Sequence, residues 1–473
     1  MIWYIKIYQV MKTILVHASI SQIGFNSFGV GDEGSWINHG LCSISAYAKN
    51  KGYTISLIDL RKIKDWVDFK KEIINHKPDV VGLTMMSPDY NYVMKCISII
   101  KDVNQNIKTV VGGPHPSIML DEVSKNNKID YIIVGEGEIS FTDLLSNIKK
   151  NVSSPRIIQG IMPDLEEIPF ADRELYGQHE TPIIDDLPSP FVTIIAGRGC
   201  IYNCSFCQPA ERKIFGEKVR RRSVENVLKE LNILREKYSF KSMMIHDDCL
   251  TEDKNWVSEF CEKYKANGFT EPFVCQARAN HIVRNKDMII KMKDAGLKML
   301  IIGFESGSQR VLNFLRKGTT VEQNYEAAKI CKELGILIWA NYMMGIPTET
   351  KEEVMQTVKM IRDIKSHHYS PAFFTPHPGS DLFEYCEKNN LSLIKDPSDY
   401  RRSPGKPKIK GIDYKFLNKA LLLSTGQRSG IISTVARRLI SIKLIHNIKD
   451  SLKKFPSGRK IINIFKKLIY GTN

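Results

Sequence analysis

Residues 199–207 read Gly199-Cys200-Ile201-Tyr202-Asn203-Cys204-Ser205-Phe206-Cys207 and follow an apolar run at 191–196. Three thiols fall within eight residues. Thiolates at such spacing select zinc or an iron–sulfur cluster. A structural zinc site is closed by four ligands. A trio therefore leaves two readings open: a cluster with one vacant iron, or a zinc knot completed by a distant Cys or His. The other seven cysteines, at 42, 96, 249, 261, 275, 331 and 386, are scattered. They read as small buried hydrophobes of a reducing compartment. Cys249 and Cys275 fall near expected strand ends, but buried packing is the commoner fate of such a residue.

Outward from this loop, residues 191–380 alternate strand and helix patterns. Strands are expected at 191–196, 242–246, 273–277, 299–304, 337–342 and 372–375, with helices such as 224–237 and 320–334 between them. Six β/α units in series predict a partial parallel barrel, whose chemistry sits at the carboxyl ends of its strands. Residues 12–150 alternate in the same way. Strands are expected at 13–17, 54–60, 79–84, 108–113 and 131–135, and a helix at 90–104 with Val93, Ile97 and Ile100 on one face. This predicts a doubly wound parallel sheet that binds a ligand at its strand ends. Residues 151–190, rich in Pro and acidic side chains, read as a linker. Residues 381–473 read as a basic helical C-terminal region entered through Arg401-Arg402-Ser403-Pro404-Gly405-Lys406-Pro407. No internal repeat is apparent.

Composition sets limits on function. The chain has 473 residues, 42% hydrophobic and 25% charged, which suits several globular domains and excludes collagen, a disordered chain or a disulfide miniprotein. The net charge is +16, yet residues 401–473 alone hold 18 Lys/Arg against 2 Asp/Glu, so the remaining 50 of each sign cancel. The body therefore needs no nucleic-acid partner. No stretch approaches the ~18–20 apolar residues of a membrane span. The opening MIWYIKIYQV does not resemble a secretory signal. Met11 begins a second plausible start, so 1–10 are expected to be a mis-assigned leader, which N-terminal sequencing of the native protein would check.

The cysteine loop closely resembles the signature of the radical S-adenosylmethionine (radical SAM) superfamily, Cys-x3-Cys-x-aromatic-Cys. Further motifs fall at the ends of the following expected strands: His246-Asp247-Asp248, Arg278, Gly303-Phe304-Glu305-Ser306-Gly307, Gly345-Ile346-Pro347-Thr348-Glu349 and Thr375-Pro376-His377-Pro378-Gly379-Ser380. The resemblance implies that Cys200, Cys204 and Cys207 bind a 4Fe–4S cluster. It implies that Phe206, Asp247, Asp248, Arg278, Glu305, Ser306, Gly345 and Pro347 contact S-adenosylmethionine. Helix capping is the alternative role for Asp247, Asp248, Glu305 and Glu349.

The first block resembles the cobalamin (B12)-binding domains fused ahead of such barrels. The likeness rests on Asp79-Val80-Val81-Gly82-Leu83-Thr84, Val110-Val111-Gly112-Gly113-Pro114-His115-Pro116-Ser117 and Val134-Gly135-Glu136-Gly137-Glu138. It implies a cobalamin cradle of Thr84, Gly112, Gly113, Pro114, His115, Gly135, Glu136 and Gly137, with glycines admitting a bulky nucleotide tail. The two resemblances span roughly residues 12–380. One departure stands out. The loop after the first strand, Ser19-Ile20-Ser21-Gln22-Ile23-Gly24-Phe25-Asn26-Ser27, lacks the Asp-x-His-x-x-Gly motif whose His ligates cobalt. Two readings follow: cobalamin binds without a protein lower ligand, which is the expectation, or the domain has lost cobalamin; His115 reads as a turn or polar contact.

Together these imply an α/β protein: a doubly wound cobalamin-type sheet, a partial (β/α)6 radical SAM barrel and a basic tail. The implied activity is reductive cleavage of S-adenosylmethionine to a 5′-deoxyadenosyl radical and cobalamin-dependent methylation of an unactivated carbon. The alternatives are a radical cyclase, oxidase or ring-rearranging enzyme of the same build, resembling the anaerobic magnesium-protoporphyrin ester cyclases, and a non-enzymatic iron–sulfur sensor. Methylthiotransferases fit poorly, since only Cys42 and Cys96 precede the barrel. Expected partners are a small-molecule or lipid-like substrate and an electron donor such as flavodoxin or ferredoxin. The expected location is cytoplasmic. Within 431–455, Ile432, Val435, Leu439, Ile442 and Ile445 fall at helical spacing among basic residues. That pattern suits either peripheral membrane contact through residues 415–473 or a helical cover over the barrel mouth.

Overall fold

The computed structural model describes residues 11–20, 25, 35–177, 180–184, 187–402 and 404–426. The first sheet comprises β1 (Lys12–His17), β2 (Thr54–Asp59), β3 (Val80–Thr84), β4 (Lys108–Gly112), β5 (Tyr131–Val134) and β6 (Ile157–Gln159), in the order β2-β1-β3-β4-β5-β6. Every pairing is parallel. Alternate residues of each strand face opposite sides. Ile14, Val16, Val81 and Val111 therefore pack on helices Trp66–His76 and Tyr90–Val103. Leu15, Val80, Val110 and Ile133 pack on helices His39–Asn50 and Glu138–Lys150. Both faces are covered, as a parallel sheet requires. Val93, Ile97 and Ile100 are fully buried, as their spacing predicts.

Strand β6 falls inside the stretch read as a linker. It is three residues long, and Ile157 is exposed, so it carries neither an apolar run nor an alternation. It adds an edge to β5. Gly160 follows it, and a Cβ there would lie 2.3 Å from the Glu136 carbonyl oxygen, so only glycine allows this closure.

The second sheet contains β7 (Phe191–Ile194), β10 (Ser242–Ile245), β11 (Phe273–Ala277), β12 (Leu297–Glu305), β13 (Leu337–Met344) and β14 (His368–Phe373). A two-residue antiparallel hairpin, β8 (Gly197–Arg198) with β9 (Arg220–Arg221), interrupts the series. The order β14-β13-β12-β11-β10-β7 is sequential and parallel, an open half-barrel. Its convex face packs on helices Val224–Tyr238, Lys254–Ala266, Lys286–Asp294, Val321–Glu333 and Lys351–Ile364. Its concave face carries Met244, Val274 and Met299, plugged by Trp36, Ile183, Ile184 and Leu187.

Strand β14 begins at His368, four residues before the expected position, and ends at Phe373. Pro371 masks it in the sequence. It is tolerated because β14 is an edge strand, where a missing N–H leaves no ladder bond unmade. Helix Tyr414–Ser424 is the last described element, and the expected amphipathic stretch 431–455 lies outside the described residues. Among the described residues no helix is long and apolar enough to cross a membrane.

Candidate functional site

The cysteine loop leaves the half-barrel through the β8–β9 hairpin. Gly199 has φ +97, and a Cβ there would meet the Lys218 carbonyl at 3.0 Å. The loop is braced from behind. Ser205 N donates to the Leu315 carbonyl (2.9 Å), and Ser205 Oγ donates to the Phe314 carbonyl (3.1 Å). Arg212 Nη2 donates to the Ile201 carbonyl at 2.9 Å. Cys204 is buried, while Cys200 and Cys207 are half-buried. Burial pushes the Cys200 thiol up to about 11, and its neighbours Glu211, Asp248 and Cys204 push the same way. The Cys207 thiol is raised by burial first and then by Glu211, whose Oε2 lies 3.5 Å from it.

Such thiols need a positive centre to ionise. Three thiols on one braced loop suit a cluster that leaves one iron open, whereas a structural zinc site is closed by four ligands.

Charged residues ring this loop, and most are already bonded to one another. Arg278 stacks 3.6 Å over the Tyr202 ring, its Nη1 donates to Cys204 Sγ at 3.5 Å, and its Nη2 donates to the Lys317 carbonyl. Lys317 Nζ donates to Glu305 Oε1 at 2.8 Å and sits 5.9 Å from the Phe206 ring centroid. Glu305 has φ +60 at a register shift in β12, an uncommon conformation for a non-glycine residue. A Cβ on Gly303 would lie 2.5 Å from Glu305 Oε1 and 2.8 Å from Lys317 Nζ, so glycine makes room for this pair.

The acids at the end of β10 divide. Asp247 spends Oδ1 on Ala196 N (2.7 Å) and Oδ2 on Arg221 Nη1 (2.8 Å). Burial raises it to about 6 despite the guanidinium. Asp248 is exposed and shares a hydrogen bond with the Glu211 carboxyl. Burial and then Glu211 raise it to about 7, and Glu211 is raised as well, chiefly by burial. Asp248 is thus the β10 acid that pairs with another carboxyl and not with an arginine.

The remaining expected contacts are structural in this conformation. Ser306 Oγ lies 3.1 Å from Thr357 Oγ1 and accepts from Ser308 N at 3.1 Å. Gly345 has φ +78, and its N–H donates to Glu349 Oε2 at 2.7 Å. Glu349 thus holds the β13 turn, and burial raises its carboxyl to about 7. The helix that follows is capped by the Thr350–Glu353 capping box. Pro347 is buried in the same turn, and Leu417 of the C-terminal helix covers Gly345.

In the first domain Thr84, Gly112, Gly113, Pro114 and His115 gather at the ends of β3 and β4. Gly113 has φ +102, and a Cβ there would lie 2.9 Å from Thr84 Oγ1. His115 is fully buried, its Nδ1 3.0 Å from Ser87 Oγ and its Nε2 3.5 Å from Glu122. Burial lowers it to about 4, so it is neutral at pH 7. A Cβ on Gly112 or Gly135 would make only ordinary van der Waals contact, with Ile133 and Gln159 at 3.7 Å, so neither glycine is forced by crowding. Gly137 lies against Ile44. Glu136, expected in the cradle, instead gives both carboxylate oxygens to Arg198 and Arg220 of the cluster hairpin.

Sequence reasoning did not single out Tyr202, Glu211, Lys317, Arg198 or Arg220. Arg198, two residues before Cys200, was the most accessible of these, because a hairpin arm carrying a metal loop needs an anchor.

Comparisons with known proteins agree with this geometry. The model of the radical SAM superfamily matches residues 194–361, and that of the B12 binding domain matches residues 31–145. The chain is 28% identical over 424 residues to an uncharacterized methyltransferase of Pyrococcus horikoshii, covering 85% of this chain and 89% of that one. It is 27% identical over 399 residues to the anaerobic magnesium-protoporphyrin IX monomethyl ester cyclase of Rubrivivax gelatinosus, covering 79% and 70%. Two solved structures share the fold. The cobalamin-dependent S-adenosylmethionine radical enzyme OxsB has TM-score 0.70 at 17% identity, covering 97% of this chain and 71% of that one. The radical S-adenosylmethionine methyltransferase TsrM of Kitasatospora setae has TM-score 0.64 at 16% identity, covering 88% and 91%. The chain thus carries a B12-binding domain followed by a radical SAM domain.

Proposed function

We propose that this protein is a cobalamin-dependent radical SAM methyltransferase that methylates an unactivated carbon of a small-molecule substrate. The observation that carries the reading is the juxtaposition of a three-thiol loop at the end of β7 with a glycine-lined cradle at the ends of β4 and β5. When bound, the cluster supplies the electron that splits the sulfonium bond of S-adenosylmethionine, and cobalamin supplies a methyl carrier.

The chain's own groups bind and orient. Cys200, Cys204 and Cys207 hold the cluster, and Arg278 fixes the loop by stacking on Tyr202 and bonding Cys204. Asp248 offers a carboxyl to the ligand's ammonium group. Lys317, bonded to Glu305 and lying over the Phe206 ring, adds a cation and an aromatic face beside the loop. Thr84, Gly112, Gly113 and Gly135 present bare backbone and a small hydroxyl to the corrin arm, and His115 braces that turn through Ser87.

Anoxic reconstitution with iron, sulfide and cobalamin, followed by assay with methyl-labelled S-adenosylmethionine, tests the reading. Label in a product together with deoxyadenosine supports it. Deoxyadenosine without label transfer favours the cyclase or oxidase alternative, which the similarity to the Rubrivivax cyclase keeps open. Zinc in place of iron and sulfide overturns both. A flavodoxin- or ferredoxin-class donor would supply the electron. The basic pattern of 415–473 supports peripheral membrane contact by sequence alone, and liposome binding that disappears on deleting those residues is its test.

A further inference from the structure

The two cofactor regions meet at one ionic node. Arg198 Nη1 donates to Glu136 Oε2 at 2.6 Å, Arg198 Nη2 donates to Glu138 Oε1 at 2.7 Å, and Arg220 Nη2 donates to Glu136 Oε1. Ser43 Oγ completes it by donating to Glu138 Oε1 at 2.7 Å. Glu136 and Glu138 are only 3% and 4% exposed at their side chains, so these bonds are little screened. Arg198 and Arg220 are direct cross-strand partners in the β8–β9 hairpin. Two like charges in that position repel. Glu136 lies between them and bonds both. On its far side the hairpin is held by Arg221, whose Nη1 donates to Asp247 Oδ2 at 2.8 Å.

We propose that Glu136 is a positioning residue for the reaction: it closes the β8–β9 hairpin by bridging Arg198 and Arg220, and so fixes the cluster loop at a set distance from the corrin cradle. The proposal rests on the cluster-and-cobalamin reading above. Three features support a positioning role over a corrin contact. Both carboxylate oxygens of Glu136 are taken by arginines. Its backbone is locked by Gly160, where a Cβ would lie 2.9 Å from Glu136 N. The hairpin it closes opens directly into Cys200.

A second contact keeps the surfaces apposed without setting the hairpin. Gly379, in the loop after β14, lies against Ile118 of the short helix after β4, where a Cβ would be 2.1 Å from Ile118 Cγ2. Loss of the ionic node should therefore alter geometry without separating the domains.

The test uses the full chain loaded anoxically with iron, sulfide and cobalamin. The reduced cluster and cob(II)alamin are both paramagnetic, and their spin–spin coupling falls steeply with separation. The wild type is expected to show one defined coupling. In Glu136→Gln the coupling should be lost or broadly spread, while iron, sulfide and corrin per chain stay at wild-type levels. An unchanged coupling overturns the proposal. Loss of corrin with the cluster retained also overturns it, because Glu136 would then be a direct corrin contact. Arg220→Gln removes the bridge from the barrel side, outside the cradle, and must behave in the same way. It decides the matter by the same criterion if Glu136→Gln does not fold. A wild type lacking either paramagnet rejects the functional reading, a result distinguishable from failure of the positioning role.

Discussion

The two sheets build their sites from different materials. In the first, helices cover both faces, and the strand ends at β4 and β5 offer bare backbone at Gly112, Gly113 and Gly135. In the second, helices cover only the convex face, and the strand ends carry interlocked side chains: Arg278 with Cys204, Lys317 with Glu305, Arg221 with Asp247. A cradle made by omitting side chains suits a large preformed ligand that brings its own reactive metal. A ring of bonded charges suits a reactive cluster and a small charged ligand, whose orientation must be set atom by atom. The first site should therefore be sensitive to added bulk, and the second to lost functional groups.

The sharpest test of that contrast is Cys204→Ala. It should abolish cluster iron and deoxyadenosine formation together while the first domain still takes up cobalamin, as iron analysis and corrin absorbance would show. Retained cleavage would mean that other residues ligate the cluster.

Next comes bulk. Gly379→Val adds side-chain atoms where φ is +77 and Ile118 already fills the space, whereas Gly52→Val faces strain alone at φ +84 with nothing within 4 Å. Urea unfolding should give a loss of several kcal/mol for the first and about 1–2 kcal/mol for the second, since backbone strain alone costs about 1–3 kcal/mol. Equal losses would show that domain apposition at Ile118 contributes nothing.

Acid should weaken both sheets through buried imidazoles. His17 and His115 in the first domain and His281 in the barrel are lowered to about 4, and His377 after β14 to about 3, mainly by burial. Their unfolded forms take up protons near pH 6.5 and their folded forms only well below it, so both domains lose stability as pH falls across that window. In the barrel, Glu349 is raised to about 7 by burial, so its contribution runs the other way and is lost as pH rises from about 4.5 toward 7. Hydrogen exchange at pH 5 against pH 7 should show β1 opening faster at the lower pH. Unchanged exchange there would refute the assignment of neutral buried imidazoles.

The smallest effect should come from the surface. Lys286→Ala removes an exposed pair with Glu333 at 3.0 Å and should change stability by less than about 0.5 kcal/mol, as thermal unfolding would report. That outcome contrasts with the buried node at Glu136, where the same chemistry is withdrawn from water.

Local pattern revealed most of the strands because their cores are continuous apolar runs. It failed at β6, which is short and exposed, and at the start of β14, where Pro371 occupies an edge. The three thiols stood out because their ligand geometry is compressed into eight residues. Lys317 and Arg220 carried no such signal. Their partners lie 12 and 84 residues away, and a charged residue reads as solvated until the fold removes its water.

The sequence by itself determined the two parallel sheets, the thiol trio and the glycine turns, because hydrophobic period, ligand spacing and backbone freedom are local properties. Tertiary structure alone decided which acids pair with arginine. Asp247 and Glu136 are consumed by arginines brought close by folding, while Asp248 is not. The reason is physical: a carboxylate's role depends on whether burial pairs it with a cation, and that pairing is set by contacts between segments far apart in the chain.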